Sequence, residues 1–461
     1  MGSPVLADAP RRVRVDSGEL EGVVANDVVA FKGIPYAAPP VGALRWRPPQ
    51  AVKPWTGVRQ ADKVGPLCMQ KINRADNGVG PPPASEDCLN LDVFTPVGEQ
   101  REKWPVMFWI HGGGYVNGSG TAALYDGSAL ARQCVVVVSI NYRLGRFGFF
   151  AHPALTRENP AGPLGNYGFM DQIAALQWVK RNIAAFGGDP GNITIFGESA
   201  GGGSVNHLMT SPAARGLFHK AISQSGLARA DLVYLERPSR TGLPSAEEQG
   251  RVFAAKLGVV DDAAQLRAIP ADAIVAAGDP ESTTGGGPMI DGRIVTDRID
   301  VSFGRGEQMP VPYLLGSNEL EFPPPWISDG RFDQLLKFSD AHRARLLAAY
   351  GDEQALRTNI VSDLLFTEPA LFLSGAHARV APVYLYRFSV LSKAATADFK
   401  AAPHALRSPV RLQDPERLPL ADRCNGRAGG GTDQFLLGGV CETRRSEWRW
   451  PTAMAGLFND G

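Results

Sequence analysis

The stretch Ile193-Thr194-Ile195-Phe196-Gly197-Glu198-Ser199-Ala200-Gly201-Gly202-Gly203-Ser204-Val205 decides how the rest of the chain is read. Its first four residues are apolar or β-branched, the pattern of a short strand buried on both faces. From Ala200 onward the residues are small enough to open a helix. Between them, Gly197-Glu198-Ser199-Ala200-Gly201 fits Gly-x-Ser-x-Gly, a turn so tight that small residues must flank the serine. Such a turn lifts the Ser199 hydroxyl above a sheet, and the helix N-terminus favours negative charge developing beside it. The five-residue match is weak alone. The strand before it and the helix after it make Ser199 a candidate nucleophile.

Working outward, Pro105 to Ile110 (PVMFWI), Cys134 to Ile140 (CVVVVSI), Pro312 to Leu315 and Val383 to Phe388 (VYLYRF) are further apolar strand patterns. Near-continuous apolar strands predict a parallel sheet covered by helices on both faces. Asp171 to Ala185 has helical spacing and stops at Gly187-Gly188. Ser245 and Glu248 form a capping-box pattern for a helix through Lys256, stopped at Gly258. The alternation predicts an α/β fold with a central, mostly parallel twisted sheet. Residues 227–360 mix short helices with Gly/Pro-rich turns and are expected as insertions above that sheet.

His111-Gly112-Gly113-Gly114 follows the strand PVMFWI directly. Glycines let main-chain N–H groups approach an acyl oxygen without side-chain obstruction, as an oxyanion hole requires. His111 stands at the root of that loop, so a structural role is expected for it. A serine hydroxyl needs a base, and the base needs an orienting carboxylate. Downstream of Ser199 the histidines are His207, His219, His342, His377 and His404. His207, His342 and His377 lie in helical patterns, whereas His404 follows the last strand pattern on a loop. After the preceding strand stand Glu319 and Glu321, and spacing does not choose between them.

Composition bounds the alternatives. With 461 residues the chain can bury a large core, and its 47 basic and 47 acidic side chains cancel. That balance gives no reason to expect nucleic acid or an anionic membrane as partner. No apolar run of about 18 residues predicts a membrane span. The first ten residues lack the basic and long apolar regions of a signal peptide. They fit a trimmed mature start, hence a secreted or periplasmic protein, as well as a cytoplasmic one. Five cysteines are too few for a disulfide scaffold. Cys68 and Cys88 flank a polar Gly/Pro-rich stretch, suited either to a loop-closing disulfide or to two reduced thiols, and Cys134 is expected in the core.

With these elements in place, the chain resembles the type-B carboxylesterases, the family that also contains the cholinesterases. The resemblance runs from about residue 11 to 406. It is carried by FKGIPYAAPPVGALRWRPP (Phe31 to Pro49), SEDCLNLDVFTP (Ser85 to Pro96), HGGGYVNGSG, NYRLGRFGF and GNYGFMDQIAALQWVKRNIAAFGGDPGNITIFGESAGG. It implies an α/β-hydrolase fold and a serine carboxylic ester hydrolase acting on small to medium esters, with no metal or organic cofactor. By this resemblance Ser199 is the nucleophile, Glu321 the acid and His404 the base, with Gly113, Gly114 and Ala200 as oxyanion donors. Family members show Gly-x-Asn-x-x-Glu-Gly at the acid; here Phe322 replaces the last glycine, which keeps Glu319 in play. The resemblance also implies a Cys68–Cys88 disulfide and buried ion pairs Arg45–Glu86 and Arg143–Asp171. Loops around Tyr115, Leu227 and Phe322 to Trp326 are expected to wall the substrate pocket. A non-catalytic binding protein on the same fold is the alternative, but such proteins lack the serine or its partners.

After Leu406 the resemblance stops. The expected organisation is a catalytic domain over residues 1–406, flexible over 1–10, and an aberrant, poorly packed tail over 407–461. Shifting the codon phase by one base, SPVRLQDPERLP (Ser408 to Pro419) can yield LPYVFKTLNGYP, which again resembles the family. FLLGGVCETRRSEWRWP (Phe435 to Pro451) yields SYWAAFAKPGDPNGDGL in the same phase. A single reading-frame slip between His404 and Arg407 accounts for both, and an inactive frame-shifted product is then a further alternative.

Overall fold

The computed structural model describes residues 11–72, 81–98, 103–278, 286–323, 340–391 and 401–404. The expectations for residues 1–10, for the tail over 407–461 and for Pro324 to Trp326 lie outside the described residues.

The organising element is a nine-stranded sheet. In chain order its strands are β1 (Val23–Ala25), β2 (Val28–Pro35), β3 (Asn90–Pro96), β4 (Trp104–Ile110), β5 (Val136–Ile140), β6 (Gly188–Glu198), β7 (Lys220–Gln224), β8 (Tyr313–Asn318) and β9 (Val383–Phe388). Their spatial order is β9-β8-β7-β6-β4-β5-β3-β2-β1. Strands β4 to β9 run parallel, and β1 to β3 add an antiparallel flank at one edge. Every residue of β3 and β5 is buried, as strands covered on both faces must be.

Helix α1 (Tyr167–Asn182) lies against this sheet with Phe169, Ile173, Leu176, Trp178 and Val179 buried. It starts four residues before the spacing pattern, because Tyr167 and Phe169 are themselves core residues. A 3₁₀ turn, Ile183–Phe186, carries it to Gly187, whose left-handed φ of 81° ends it at the expected stop. Helix α2 (Ala200–Thr210) follows β6 directly. Helix α3 (Ala246–Lys256) is capped by Ser245, whose side chain accepts from the Glu248 N–H. The reciprocal half of the box is replaced: Glu248 takes Arg251 at 3.0 Å instead. Helices α4 (Asp340–Tyr350), α5 (Glu353–Ser362) and α6 (Glu368–His377) precede β9, with a π turn at Asp363–Thr367 joining the last two.

The structure corrects one core expectation. Cys134 does not open β5; it sits two residues earlier, half-buried in a left-handed turn with φ 64°. Cys68 and Cys88 are joined by a disulfide. The two implied ion pairs are present: Arg45 grips Glu86 through Nε and Nη2, and Arg143 grips Asp171 through Nε and Nη2, both of the latter bonds at 2.7 Å. Among the described residues no helix is long and apolar enough to cross a membrane.

Candidate active site

Ser199 occupies the sharp turn between β6 and α2, with φ 58° and ψ −122°, a conformation that side chains rarely adopt. Main-chain bonds hold it there: its N–H donates to the Gln224 carbonyl at 2.9 Å, and its own carbonyl accepts from Gly203. The flanking glycines are a steric requirement. A Cβ on Gly201 would stand 2.1 Å from the Ile110 carbonyl oxygen, so α2 can seat on the end of β4 only with glycine there. A helix opening with three glycines is poor in intrinsic propensity; burial of α2 from Ala200 through Met209 offsets that cost.

The imidazole of His404 bridges two partners. Its Nε2 lies 2.8 Å from Ser199 Oγ and its Nδ1 lies 2.8 Å from Glu321 Oε2. A carboxylate only accepts, which assigns the proton to Nδ1 and leaves Nε2 as acceptor for the serine hydroxyl. Glu321 is fully buried, and its other oxygen accepts from the Ser225 hydroxyl and the Asn318 N–H, both at 2.6 Å. Glu319 is placed differently: its N–H donates to the Phe388 carbonyl, and its own carbonyl accepts from Arg387. Glu198, 5% exposed, brings a second carboxylate to within 3.6 Å of His404 Nε2. Phe322 and Phe366 stand against the imidazole, each with ring centroid 5.0 Å away.

The glycine loop lies beside the nucleophile. A Cβ on Gly112 would fall 3.1 Å from Ser199 Cβ. Gly113 and Gly114 both have positive φ, 98° and 61°, and the Gly113 carbonyl is turned away into bonds from Val116 and Asn117. Among the described residues the N–H groups of Gly113, Gly114 and Ala200 have no acceptor. His111 stacks on Tyr142, bonds the Gly112 carbonyl at 2.8 Å, and is held neutral by burial, which lowers its pKa to about 4. His207 is likewise buried, its pKa lowered to about 3, with its ring against Phe169. His219 accepts from the Ile193 N–H, and His377 bonds the Val311 carbonyl. Of the histidines downstream of Ser199, His404 is the one brought to the serine. Among the described residues no group of three or more His, Cys, Asp or Glu side chains could hold a metal ion.

Ser225, Asn318 and Glu198 are site neighbours that residue-by-residue reasoning did not single out. Glu198 and Asn318 lie inside quoted motifs, which was their only signal. Ser225 directly follows a strand, β7, that the apolar pattern missed, and nothing in its local sequence marks it.

A sharp serine turn on a mostly parallel sheet, with its hydroxyl on a histidine, defines a serine hydrolase of the α/β type. The family model described as the carboxylesterase family matches residues 9–343, and the chain belongs to that family. It is 39% identical to the fumonisin B1 esterase of Sphingopyxis macrogoltabida, over 84% of this chain and 73% of that protein. It is 35% identical to the para-nitrobenzyl esterase of Bacillus subtilis (strain 168), over 89% of this chain and 85% of that one. Solved structures agree. A PNB esterase superimposes with a TM-score of 0.73 and a thermophilic PNB esterase with 0.75, each at 34% identity and covering 86% of this chain, 84% and 83% of theirs. The fold is that of the α/β hydrolases, and the protein is a serine-dependent carboxylic ester hydrolase.

Proposed function

We propose that the chain cleaves small to medium neutral esters through an acyl-enzyme on Ser199, with His404 as general base and Glu321 as its orienting acid. The observation that carries this is the relay Ser199 Oγ–His404–Glu321, with both hydrogen bonds at 2.8 Å. His404 Nε2 takes the hydroxyl proton as Ser199 Oγ attacks the ester carbonyl. The N–H groups of Gly113, Gly114 and Ala200 receive the oxyanion, where charge develops in the transition state. The imidazolium returns its proton to the departing alcohol; water, activated by the same imidazole, then releases the acid. Glu321 stays a carboxylate throughout and fixes the tautomer.

A fluorophosphonate probe and p-nitrophenyl butyrate test this. Wild type should label stoichiometrically and turn over; Ser199→Ala should do neither, and turnover retained by the variant refutes the assignment. The organisation of the chain belongs to the same proposal, with residues 407–461 read as out of frame. The exposed Tyr384, Leu385 and Val390, at and just beyond the edge strand β9, support a missing apolar partner there. Resequencing the coding DNA tests it, and an unbroken frame without the alternative translation refutes it.

A further inference from the structure

Asn318 ends β8 with its side chain 1% exposed. Its main-chain N–H donates to Glu321 Oε1, and its Nδ2 donates to the Pro403 carbonyl, each at 2.6 Å. Pro403 is the residue immediately before His404. One residue therefore holds the carboxylate with its backbone and the carrier of the imidazole with its side chain. Two main-chain bonds flank this grip, Leu320 N–H to the Ala402 carbonyl at 3.1 Å and His404 N–H to the Glu321 carbonyl at 2.8 Å. Among the described residues Asn318 Oδ1 has no partner. A buried amide with one atom unsatisfied is a cost that an apolar side chain of similar size would avoid, so the Nδ2 bond is the feature that accounts for an amide here.

We propose that Asn318 is a positioning residue for ester hydrolysis: its amide holds the 401–404 segment where the His404 imidazole spans Glu321 and Ser199 at once. The proposal rests on His404 being the base. Without the amide, main-chain bonds alone tie that segment to the acid turn, and the imidazole drifts off the line to Glu321. Displacements near 1 Å cost about a hundredfold in rate. Asn318 is buried and its hydrogen bonds go to Glu321 and Pro403, so the loss should fall on kcat. The weakened bond to Glu321 also disfavours the imidazolium. Among the described residues the imidazole also faces Glu198, the Ser199 hydroxyl, and the rings of Phe322 and Phe366. Around them Asp363, on the turn carrying Phe366, is bonded by the Tyr350 hydroxyl, and Arg387 on β9 is bonded to the Glu319 carbonyl.

The test compares the full-length chain with Asn318→Leu, which keeps bulk and removes the donor, and with Asn318→Ala and His404→Gln. Hydrolysis of p-nitrophenyl butyrate is followed from pH 5 to 9, with fluorophosphonate labelling rates and thermal melts alongside. The expected result in both Asn318 variants is kcat lower by about ten- to a hundredfold. KM should stay within about twofold and labelling should slow in parallel. The acid limb of kcat/KM should move to lower pH by roughly half a unit. Unchanged kcat in both, with His404→Gln inactive, overturns the positioning role and leaves the base in place. A loss of kcat with an unmoved acid limb and a lowered melting temperature makes Asn318 merely structural and overturns it too. Turnover retained by His404→Gln removes the base, and the proposal falls with it.

Discussion

Asp92 should make the protein less stable as pH rises through neutrality, and Asp92→Asn should remove that dependence. Asp92 lies on β3, 2% exposed, with Oδ1 accepting the Gly33 N–H at 2.8 Å. Burial pushes its pKa up to about 7, against the opposing pull of that N–H and of Lys32. From an ordinary 3.8 the rise is about three units, or roughly 4 kcal/mol between protonation states. The folded form binds the proton more tightly than the unfolded one, so between about pH 4 and 7 folding takes up a proton. Stability from this group is therefore intact below pH 4, falls as pH rises through 7, and is about 4 kcal/mol lower at pH 8. Asparagine keeps the acceptor for Gly33 and cannot ionise. With an unfolding entropy near 2.1 cal/mol/K per residue over 461 residues, 4 kcal/mol corresponds to a melting shift of about 4 °C. Paired calorimetric scans at pH 5, 6, 7 and 8, at one scan rate, read the difference between variant and wild type. Any buried N–H₂ left unsatisfied in the variant subtracts the same amount at every pH. The slope is thus the diagnostic quantity: the variant's relative melting temperature should climb by a few degrees between pH 5 and 8. A difference that is flat across that range refutes the argument.

Three further outcomes follow from the same structure. Arg143→Met leaves Asp171 fully buried without its guanidinium, and should cost about 3–5 kcal/mol, whereas Arg143→Met with Asp171→Leu should recover much of that; melting temperatures of the two variants decide it. Gly113→Ala meets both a φ of 98° and an Asn117 carbonyl oxygen 2.2 Å from the new Cβ. It should lower kcat by about a hundredfold or more with the fold intact, measured by p-nitrophenyl butyrate turnover beside circular dichroism. Removing the Cys68–Cys88 bond, whose cysteines are 20 residues apart, should cost about 3 kcal/mol by loop entropy. Melts of a Cys68→Ala/Cys88→Ala variant beside wild type check it, and an unchanged melting temperature counts against the loop argument.

The parts of the fold that could be read from the chain are those fixed by local demands. The turn at Ser199 announces itself because a strand, two obligatory glycines and a helix start all fall within thirteen residues. Strands β4 and β5 and the Ile193–Phe196 stretch of β6 are legible since they carry mostly apolar residues that are buried on both faces. Strand β7, Lys-Ala-Ile-Ser-Gln, was not. It is short, opens on an exposed lysine, and carries Ser223 and Gln224 at the end nearest the site, where polar side chains are wanted. The antiparallel flank was missed for a related reason: β3 runs Asn-Leu-Asp-Val-Phe-Thr-Pro, with buried Asn90, Asp92 and Thr95 whose partners lie on other strands or beyond them. Cys134 deceived the strand pattern because apolar composition does not reveal a left-handed turn.

What spacing could not supply at the site is everything that depends on strand order. Glu319 and Glu321 are two residues apart on one turn, equally acidic and equally placed in sequence. The difference between them arises because the chain doubles back after β8, so that the Glu321 carboxylate returns to the Asn318 N–H only three residues behind it. That return makes sense only beside Ser225, 96 residues earlier, and His404, 83 residues later. The serine and the histidine are 205 residues apart. No local pattern encodes such distances. The parallel ladder β6-β7-β8-β9 converts them into adjacency, bringing the elbow, the Ser225 turn and the acid turn into line at the ends of successive strands. The 401–404 loop is delivered just past the edge strand. The edge position fits the way His404 is tied to the 319–321 turn: among the described residues β9 has a neighbour on one side only. The Asn318 amide then holds the loop at a place where, among the described residues, the ladder has no further strand.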